Sequence, residues 1–232
     1  MKGKLYLVPS PLGGPPEEVI PSVVFERISH IEHFAVEEIR SGRRYLSSIG
    51  FKGRIDTLHF YEINEHSGWE DAQSVVKILL SGADVALISE AGLPAVADPG
   101  ASLVELAHTQ DIEVIPFVGP SSLMMALMSS GMNGQSFSFN GYIPVKPAQR
   151  RAKIKELEKR AINTKSSQIF IETPYRNDAM LKDIVEVCDP TTKVCIAADI
   201  TLPSAYIKTK TVKEWRKNLI TIGKRPCVFI LG

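Results

Sequence analysis

A chain of 232 residues with 44% hydrophobic and 23% charged side chains has the make-up of a soluble globular protein with a real core, as one large domain or two small α/β domains. Its three cysteines, Cys188, Cys195 and Cys227, form no Cys-x-x-Cys pair, and an odd number argues against a disulfide framework, so reduced thiols in a cytoplasmic protein are expected. The net charge of +1 conceals a split: residues 1–120 carry 9 Lys and Arg against 17 Asp and Glu, whereas residues 121–232 carry 18 against 9. Opposed halves suit surfaces with different partners, the basic one fitting an anion such as RNA. They suit docking of the halves or of subunits equally well.

The first residues run straight into a strand with no signal peptide, and no apolar stretch is long enough to span a bilayer. Apolar runs rich in β-branched residues predict strands at 5–9, 31–36, 55–61, 85–89 and 114–118. Amphipathic spacing predicts helices at 17–28, 41–49, 69–80 and 100–108. Steady alternation of the two implies crossover connections and a mostly parallel sheet, open to ligands at the carboxyl ends of its strands. The second half reads as strands at 137–142, 169–172, 194–198, 205–211 and 227–231, with helices at 148–161, 177–187 and 212–217. Its late strands lack long helices between them and predict a mixed sheet. The boundary is placed at Gly119-Pro120, giving domains 1–118 and 119–232.

Several strand ends carry residues that open a ligand site. After the first strand come Ser10-Pro11-Leu12-Gly13-Gly14-Pro15-Pro16, whose glycines permit a sharp turn and close backbone approach. The most apolar strand is followed by Ser89-Glu90-Ala91-Gly92-Leu93-Pro94-Ala95-Val96-Ala97-Asp98-Pro99-Gly100. Two glycines, two prolines and two acids fix an elaborate loop there, with Asp98 expected as N-cap and Pro99 as the first helical residue. Gly119-Pro120-Ser121-Ser122 and Thr173-Pro174-Tyr175-Arg176 would aim free helix-start N–H groups at the open edge of a sheet. Taken singly, each turn also suits plain capping. Together, from both halves, they predict convergence on one interdomain cleft. Neither dinucleotide-binding nor P-loop fingerprints are present, and His30 and His33 lack partners for a metal site. Met124, Met125, Met128 and Met132 read as packing residues that fill irregular gaps.

The ordered set of 10–14, 89–100, 119–122 and 172–176 resembles the tetrapyrrole methylase superfamily of S-adenosylmethionine-dependent methyltransferases. Within it the chain looks most like the branch that methylates a cytidine ribose 2′-hydroxyl of small-subunit ribosomal RNA. The likeness spans nearly the full length, and the loop Ser-[Asp/Glu]-Ala-Gly-x-Pro-x-x-x-Asp-Pro-Gly is its most specific part. It implies an α/β, two-domain tetrapyrrole-methylase-like fold, a homodimer, and S-adenosylmethionine as a folded cofactor between the domains. Cofactor contacts are implied for Pro11 and Gly13, for Ser89, Glu90, Ala91, Gly92, Pro94, Ala97, Asp98 and Pro99, and for Ser121, Ser122 and Thr173. Glu37-Glu38-Ile39-Arg40 and Asn64-Glu65 match acceptor-side motifs, so Glu38 or Glu65 is the expected proton acceptor and Arg40 the orienting residue; a structural ion pair is the competing account. Lys146, Arg150, Arg151 and Arg176 are the expected nucleic-acid contacts, with Lys153 and Lys155 beside them. Departures fall on the acceptor side: Glu38 stands for Asp, Ile39 for Thr, Tyr175 for His, and Ala197-Ala198-Asp199-Ile200-Thr201-Leu202 lacks two basic residues of the branch. A tetrapyrrole or other small-molecule acceptor, and a non-catalytic, cofactor-binding, ribosome-associated protein, stay open as alternatives.

Overall fold

The computed structural model describes residues 1–232, which divide into two compact units, Met1–Ser121 and Ser122–Gly232. In the first, β1 (Leu5–Val8), β2 (His33–Val36), β3 (His59–Glu62), β4 (Val85–Ile88) and β5 (Val114–Pro116) form a sheet ordered β3-β2-β4-β1-β5. Every pairing is parallel. Side chains alternate across the strands. Tyr6, Val8, Phe34, Val36, Ala86 and Ile88 share one core with Val24, Ile28 and Leu46 of α1 (Ser22–Ile28) and α2 (Ile39–Leu46). Leu5, Ala35, Val85 and Leu87 point the other way, onto Val75, Leu79, Leu103 and Leu106 of α3 (Trp69–Leu80) and α4 (Ala101–Thr109). Each fully buried aliphatic or Phe side chain is worth about 1.5–3 kcal/mol, so both helical layers are held by the sheet.

The strand order fixes where a ligand belongs. From β1 the chain crosses to β2 on one side, and from β4 it crosses to β5 on the other, although β1 and β4 are neighbours. Loops leaving adjacent strand ends in opposite directions leave a crevice between them.

Three local expectations are corrected. Residues 55–57 form a 3₁₀ turn, Ile55–Thr57, ahead of β3, rather than the start of a strand. The segment 17–28 is split into a 3₁₀ turn Pro16–Glu18 and α1, because Pro21 lacks the N–H a continuous helix needs and caps the new one instead. Asp98 is not the cap of α4. Gly100 is, at φ 113°, and the helix begins after it at Ala101. A Cβ at Gly100 would lie 2.7 Å from Leu87 Cδ2, so close packing against β4 demands glycine there.

The second unit holds α5 (Ser122–Ser130), β6 (Phe137–Tyr142), α6 (Pro147–Thr164), β7 (Ser167–Ile171), α7 (Asn177–Val187), β8 (Lys193–Ala198), β9 (Tyr206–Thr211), α8 (Val212–Lys217) and β10 (Cys227–Leu231). Its sheet runs β6-β7-β10-β8-β9. Only β6 and β7 are parallel; the other pairings are antiparallel, as the short late connections predicted. Phe170 and Phe229 stack at 5.6 Å between centroids. They pack with Ile154, Leu157, Leu181, Ile184 and Trp215 from the helices. Trp215 is fully buried, and its indole N–H donates to Val194 O at 3.0 Å. The three cysteines are free and buried, and no helix is long and apolar enough to cross a membrane.

Candidate active site

Three of the loops singled out in the sequence meet at the crevice of the first sheet. Ser10 and Gly92 exchange backbone hydrogen bonds of 2.8 and 3.0 Å, joining the loop after β1 to the loop after β4. Ser10 Oγ also donates to Ser89 O at 2.7 Å. Gly92 has φ 83°, and a Cβ there would sit 3.2 Å from Leu12 Cδ2 and 3.5 Å from Pro120 O. Gly119 is packed so that a Cβ would meet Pro9 Cβ at 2.1 Å. The 119–120 turn therefore closes on the first loop at a distance only glycine permits.

The loop after β4 is strained as well as joined. Ala95 and Ala97 hold φ 62° and 65°, a left-handed conformation that costs an L-residue about 1–2 kcal/mol. Its first residue, Ser89, is buried, yet its hydroxyl has no hydrogen-bond partner of normal geometry. A rigid backbone cradle with a buried hydroxyl set beside the Asp98 carboxylate fits a polar ligand such as the S-adenosylmethionine expected from the sequence.

Beside the cradle lies a pocket of about 430 Å³, at the carboxyl ends of β1, β2 and β4 and walled by α2. Ser41, Gly42, Arg44 and Tyr45 line it from α2, Ser48 from the helical turn that follows it, and Ser10, Pro11, Ser89 and Glu90 from the loops. The helix residues were not singled out in the sequence, though their spacing of three, four and seven along one amphipathic segment is the signal that marks a shared face. Gly42 seats the helix: a Cβ would lie 2.7 Å from Val36 Cγ1. Tyr45 OH donates to Pro9 O at 2.7 Å and ties the helix to the first loop.

Three carboxylates gather at this edge. Glu37 Oε1 accepts the Glu90 N–H at 3.1 Å, and the Glu90 carboxylate accepts from Ser41 Oγ. Burial raises the Glu37 pKa, with the charges of Asp98 and Glu90 adding to it and the Glu90 N–H opposing. Burial also pushes Asp98 up to about 6, with Ser89 nearby pulling it down and Glu90 raising it further.

The expected base and nucleic-acid residues fare less uniformly. Glu38 is the N-cap of α2, its two oxygens accepting from the N–H groups of Arg40 at 2.8 Å and Ser41 at 2.7 Å. Those bonds hold its pKa below the usual value, which suits a cap and weakens a base. Glu65 lies in the turn after β3, exposed and 3.6 Å from His66. Arg40 is exposed on α2, without an ion pair. In the second unit Arg150 is buried, with its guanidinium on Asp183 and on Val145 O. A buried, paired arginine holds its own helix layer together and is unavailable to phosphate; the expectation for Arg150 is corrected on that ground. Arg151 bridges Asp183 and Glu186, and Arg176 pairs with the buried Glu172. Lys153 and Lys155 pair with Glu156 and Glu158. Lys146 is exposed at the start of α6 with no such partner. Thr173 precedes the turn Pro174–Arg176, its N–H donating to Glu172 Oε1 at 2.7 Å.

A parallel five-stranded sheet with a jointed crevice at its switch point, followed by a mixed five-stranded sheet, defines the tetrapyrrole-methylase class of α/β fold. Solved structures agree: a diphthine synthase superposes with a TM-score of 0.70 at 14% identity, covering 99% of this chain and 89% of the other. A uroporphyrin-III C-methyl transferase from Thermus thermophilus, complexed with S-adenosyl homocysteine, gives 0.57 at 15% identity over 99% and 97%. No protein-family model matches. Curated relatives are closer in sequence. The ribosomal RNA small subunit methyltransferase I of Vibrio cholerae is 32% identical over 85% of this chain and 65% of its own length. The protein of that name from Halalkalibacterium halodurans is 30% identical over 100% and 76%, and the one from Micromonospora olivasterospora is 35% identical over 80% and 56%. The chain belongs to the ribosomal RNA small subunit methyltransferase I family, while spanning less than two thirds of the length of two of these relatives.

Proposed function

We propose that the protein is an S-adenosylmethionine-dependent methyltransferase whose acceptor is a ribose 2′-hydroxyl of small-subunit ribosomal RNA, and that it works as a homodimer. The observation that carries this reading is the convergence of the 10–14, 89–100 and 119–120 loops on the switch point of the first sheet, in a chain of this family. Ser89, Glu90, Ala91, Gly92 and Asp98 would hold the cofactor, with Pro11, Gly13, Pro94, Ala97, Pro99, Ser121, Ser122 and Thr173 as further contacts. The bound cofactor supplies an electrophilic methyl group on a sulfonium leaving group.

The protein's own residues then have two tasks. One is alignment of acceptor and methyl, a proximity effect that reaches about 7–11 kcal/mol in favourable systems. The jointed, strained loops serve this by keeping the cradle fixed. The other is the acceptor proton, since a ribose hydroxyl is a poor nucleophile at neutral pH. Glu37 and Asp98, both with raised pKa values, suit that task better than Glu38, whose carboxylate is committed to the helix cap.

The test is incubation of the protein and labelled cofactor with undermethylated small ribosomal subunits and, separately, with a tetrapyrrole precursor. Label entering the ribosomal RNA supports the reading. Label entering the tetrapyrrole instead, or neither acceptor, overturns it.

A further inference from the structure

The charge of the basic half is unevenly neutralised. On α6, where the sequence suggested contacts with RNA, Arg151, Lys153, Lys155 and Arg160 all face acidic partners. Residues 206–217, by contrast, hold five basic residues and one acid, and Lys208, Lys210, Lys213 and Lys217 make no ion pair. Lys208 and Lys210 lie on β9, an outer strand of the second sheet, opposite Ile196 and Val194. Residues in register share a face, so both lysines lie on the side covered by the helices. Lys210 Nζ is 4.8 Å from the centroid of the Trp215 ring, which joins the lysines of the strand to α8. There Lys213 and Lys217 are four residues apart, on one helix face. The single acid, Glu214, accepts from the Thr211 N–H at 2.8 Å and Oγ1 at 2.7 Å in a capping box. Those bonds, and then the charges of Lys210 and Lys217, hold its pKa below the ordinary value, so these two lysines flank one carboxylate. Arg216 belongs to the scaffold, its guanidinium donating to Val185 O and Cys188 O at the end of α7. On α7, which packs against α8, Asp183 and Glu186 face Arg150 and Arg151, and Asp189 beyond it accepts from the Thr191 N–H and hydroxyl. Four lysines around one committed carboxylate leave the strip strongly positive.

The spacing of these lysines bears on the ligand. Residues two apart on a strand and four apart on a helix are about 6–7 Å apart, comparable with the step between successive phosphates of a nucleic-acid strand. A small anion would engage one or two of them, whereas a run of four suits a polymer. Lysine, a point charge on a flexible stem, suits contacts that position a phosphate backbone without reading its bases. We propose that Lys208, Lys210, Lys213 and Lys217 form a docking strip for the phosphate backbone of the acceptor RNA, in the role that the sequence alone assigned to α6. The proposal rests on the RNA reading given above and adds the surface by which the RNA is held. The rival role for lysines on an outer strand is to guard its unpaired edge against other chains, and the two roles are separable.

The experiment uses the full chain and a labelled single-stranded RNA taken from small-subunit sequence, with binding followed by anisotropy across a potassium chloride series. Lys213→Gln/Lys217→Gln removes two charges from the strip. Lys77→Gln/Lys159→Gln removes two from exposed lysines elsewhere that make no ion pair. The strip pair should weaken binding by about tenfold and flatten the plot of log affinity against log salt by about 1.4, at about 0.7 for each phosphate contact on a single strand. The control pair should keep the affinity and slope of the parent. Lys208→Gln alone, on β9, should flatten the plot by about 0.7. Unchanged S-adenosylmethionine affinity by calorimetry, with unchanged far-ultraviolet dichroism, shows that each variant is folded. Parent-like affinity and slope in both strip variants would overturn this inference while leaving the methyltransferase reading intact. If Lys208→Gln also self-associates in sedimentation, the lysines guard the strand edge instead. Equal losses in the strip and control pairs would overturn it too, because net charge and not the strip would then draw the RNA. An unsubstituted protein that binds no RNA would bring down the RNA reading itself, and this inference with it.

Discussion

Single residues at the carboxyl edge of the first sheet carry stability and, on the proposed function, chemistry, and their substitutions separate the two. Glu38 closes the start of α2 with two backbone bonds. Glu38→Ala should therefore lower stability by about 0.5–2 kcal/mol, read from the midpoint of urea unfolding, while methyl transfer by the folded fraction persists. Loss of turnover at full stability would restore Glu38 as the base. Asp98 behaves in the opposite sense. Burial raises its folded pKa to about 6 from an ordinary 3.8, so the folded state favours the protonated form. Its contribution is most favourable below pH 4 and is lost as pH rises through 6. Asp98→Asn should raise the melting temperature at pH 8 and give no gain at pH 4. Because the group is partly exposed, solvent screening limits the effect to about 1 kcal/mol, or roughly 2–4 °C in a chain of this size. If Asp98 also takes the acceptor proton, the same variant loses turnover, and the parent's rate falls as pH drops below about 6.

At the scale of elements, α2 acts as a wall whose position is set by one glycine and one tyrosine. Gly42→Ala would drive a methyl group into Val36 Cγ1 at 2.7 Å. Overpacking of this kind costs about 1–3 kcal/mol. The helix should shift off β2, and cofactor affinity should fall with thermal stability; unchanged affinity and stability would show that α2 is not seated by this contact. Much of this level was legible beforehand. The helices at 69–80 and 177–187 coincide with α3 and α7, and the strands at 137–142 and 227–231 with β6 and β10, because their periodicity and their burial have the same origin. Where the reading went astray, a tertiary contact overrode a local preference. Asp98-Pro99 is a good local start for a helix, but only Gly100 can approach Leu87. Glu38 sits in a motif that suggests chemistry, and the same position is where α2 needs its cap.

At the scale of the whole molecule, the parallel sheet, the mixed sheet and the family resemblance were all readable, and the partners of individual charges were not. Sequence counts 18 basic residues in the last 112 positions. It does not disclose that Arg150 is spent on Asp183 inside the fold and that Arg151, Lys153 and Lys155 face acidic partners across or along helices. Arg150→Ala should accordingly destabilise the protein by about 3 kcal/mol, since it strips a buried carboxylate of its main partner. Lys146→Ala should leave stability within about 0.5 kcal/mol. Chemical denaturation of both variants checks this, and equal stability would mean that the Arg150–Asp183 contact contributes little.

The placement of Trp215 has a practical corollary. The chain has two tryptophans: Trp69 begins α3 and is 48% exposed, whereas Trp215 is sealed in the second core. Emission from Trp69 is already that of a wetted indole, so a red shift during melting reports chiefly on the loss of packing around Trp215. Followed beside far-ultraviolet dichroism, which sees every helix, that colour change tells whether the two halves come apart in one step or in succession.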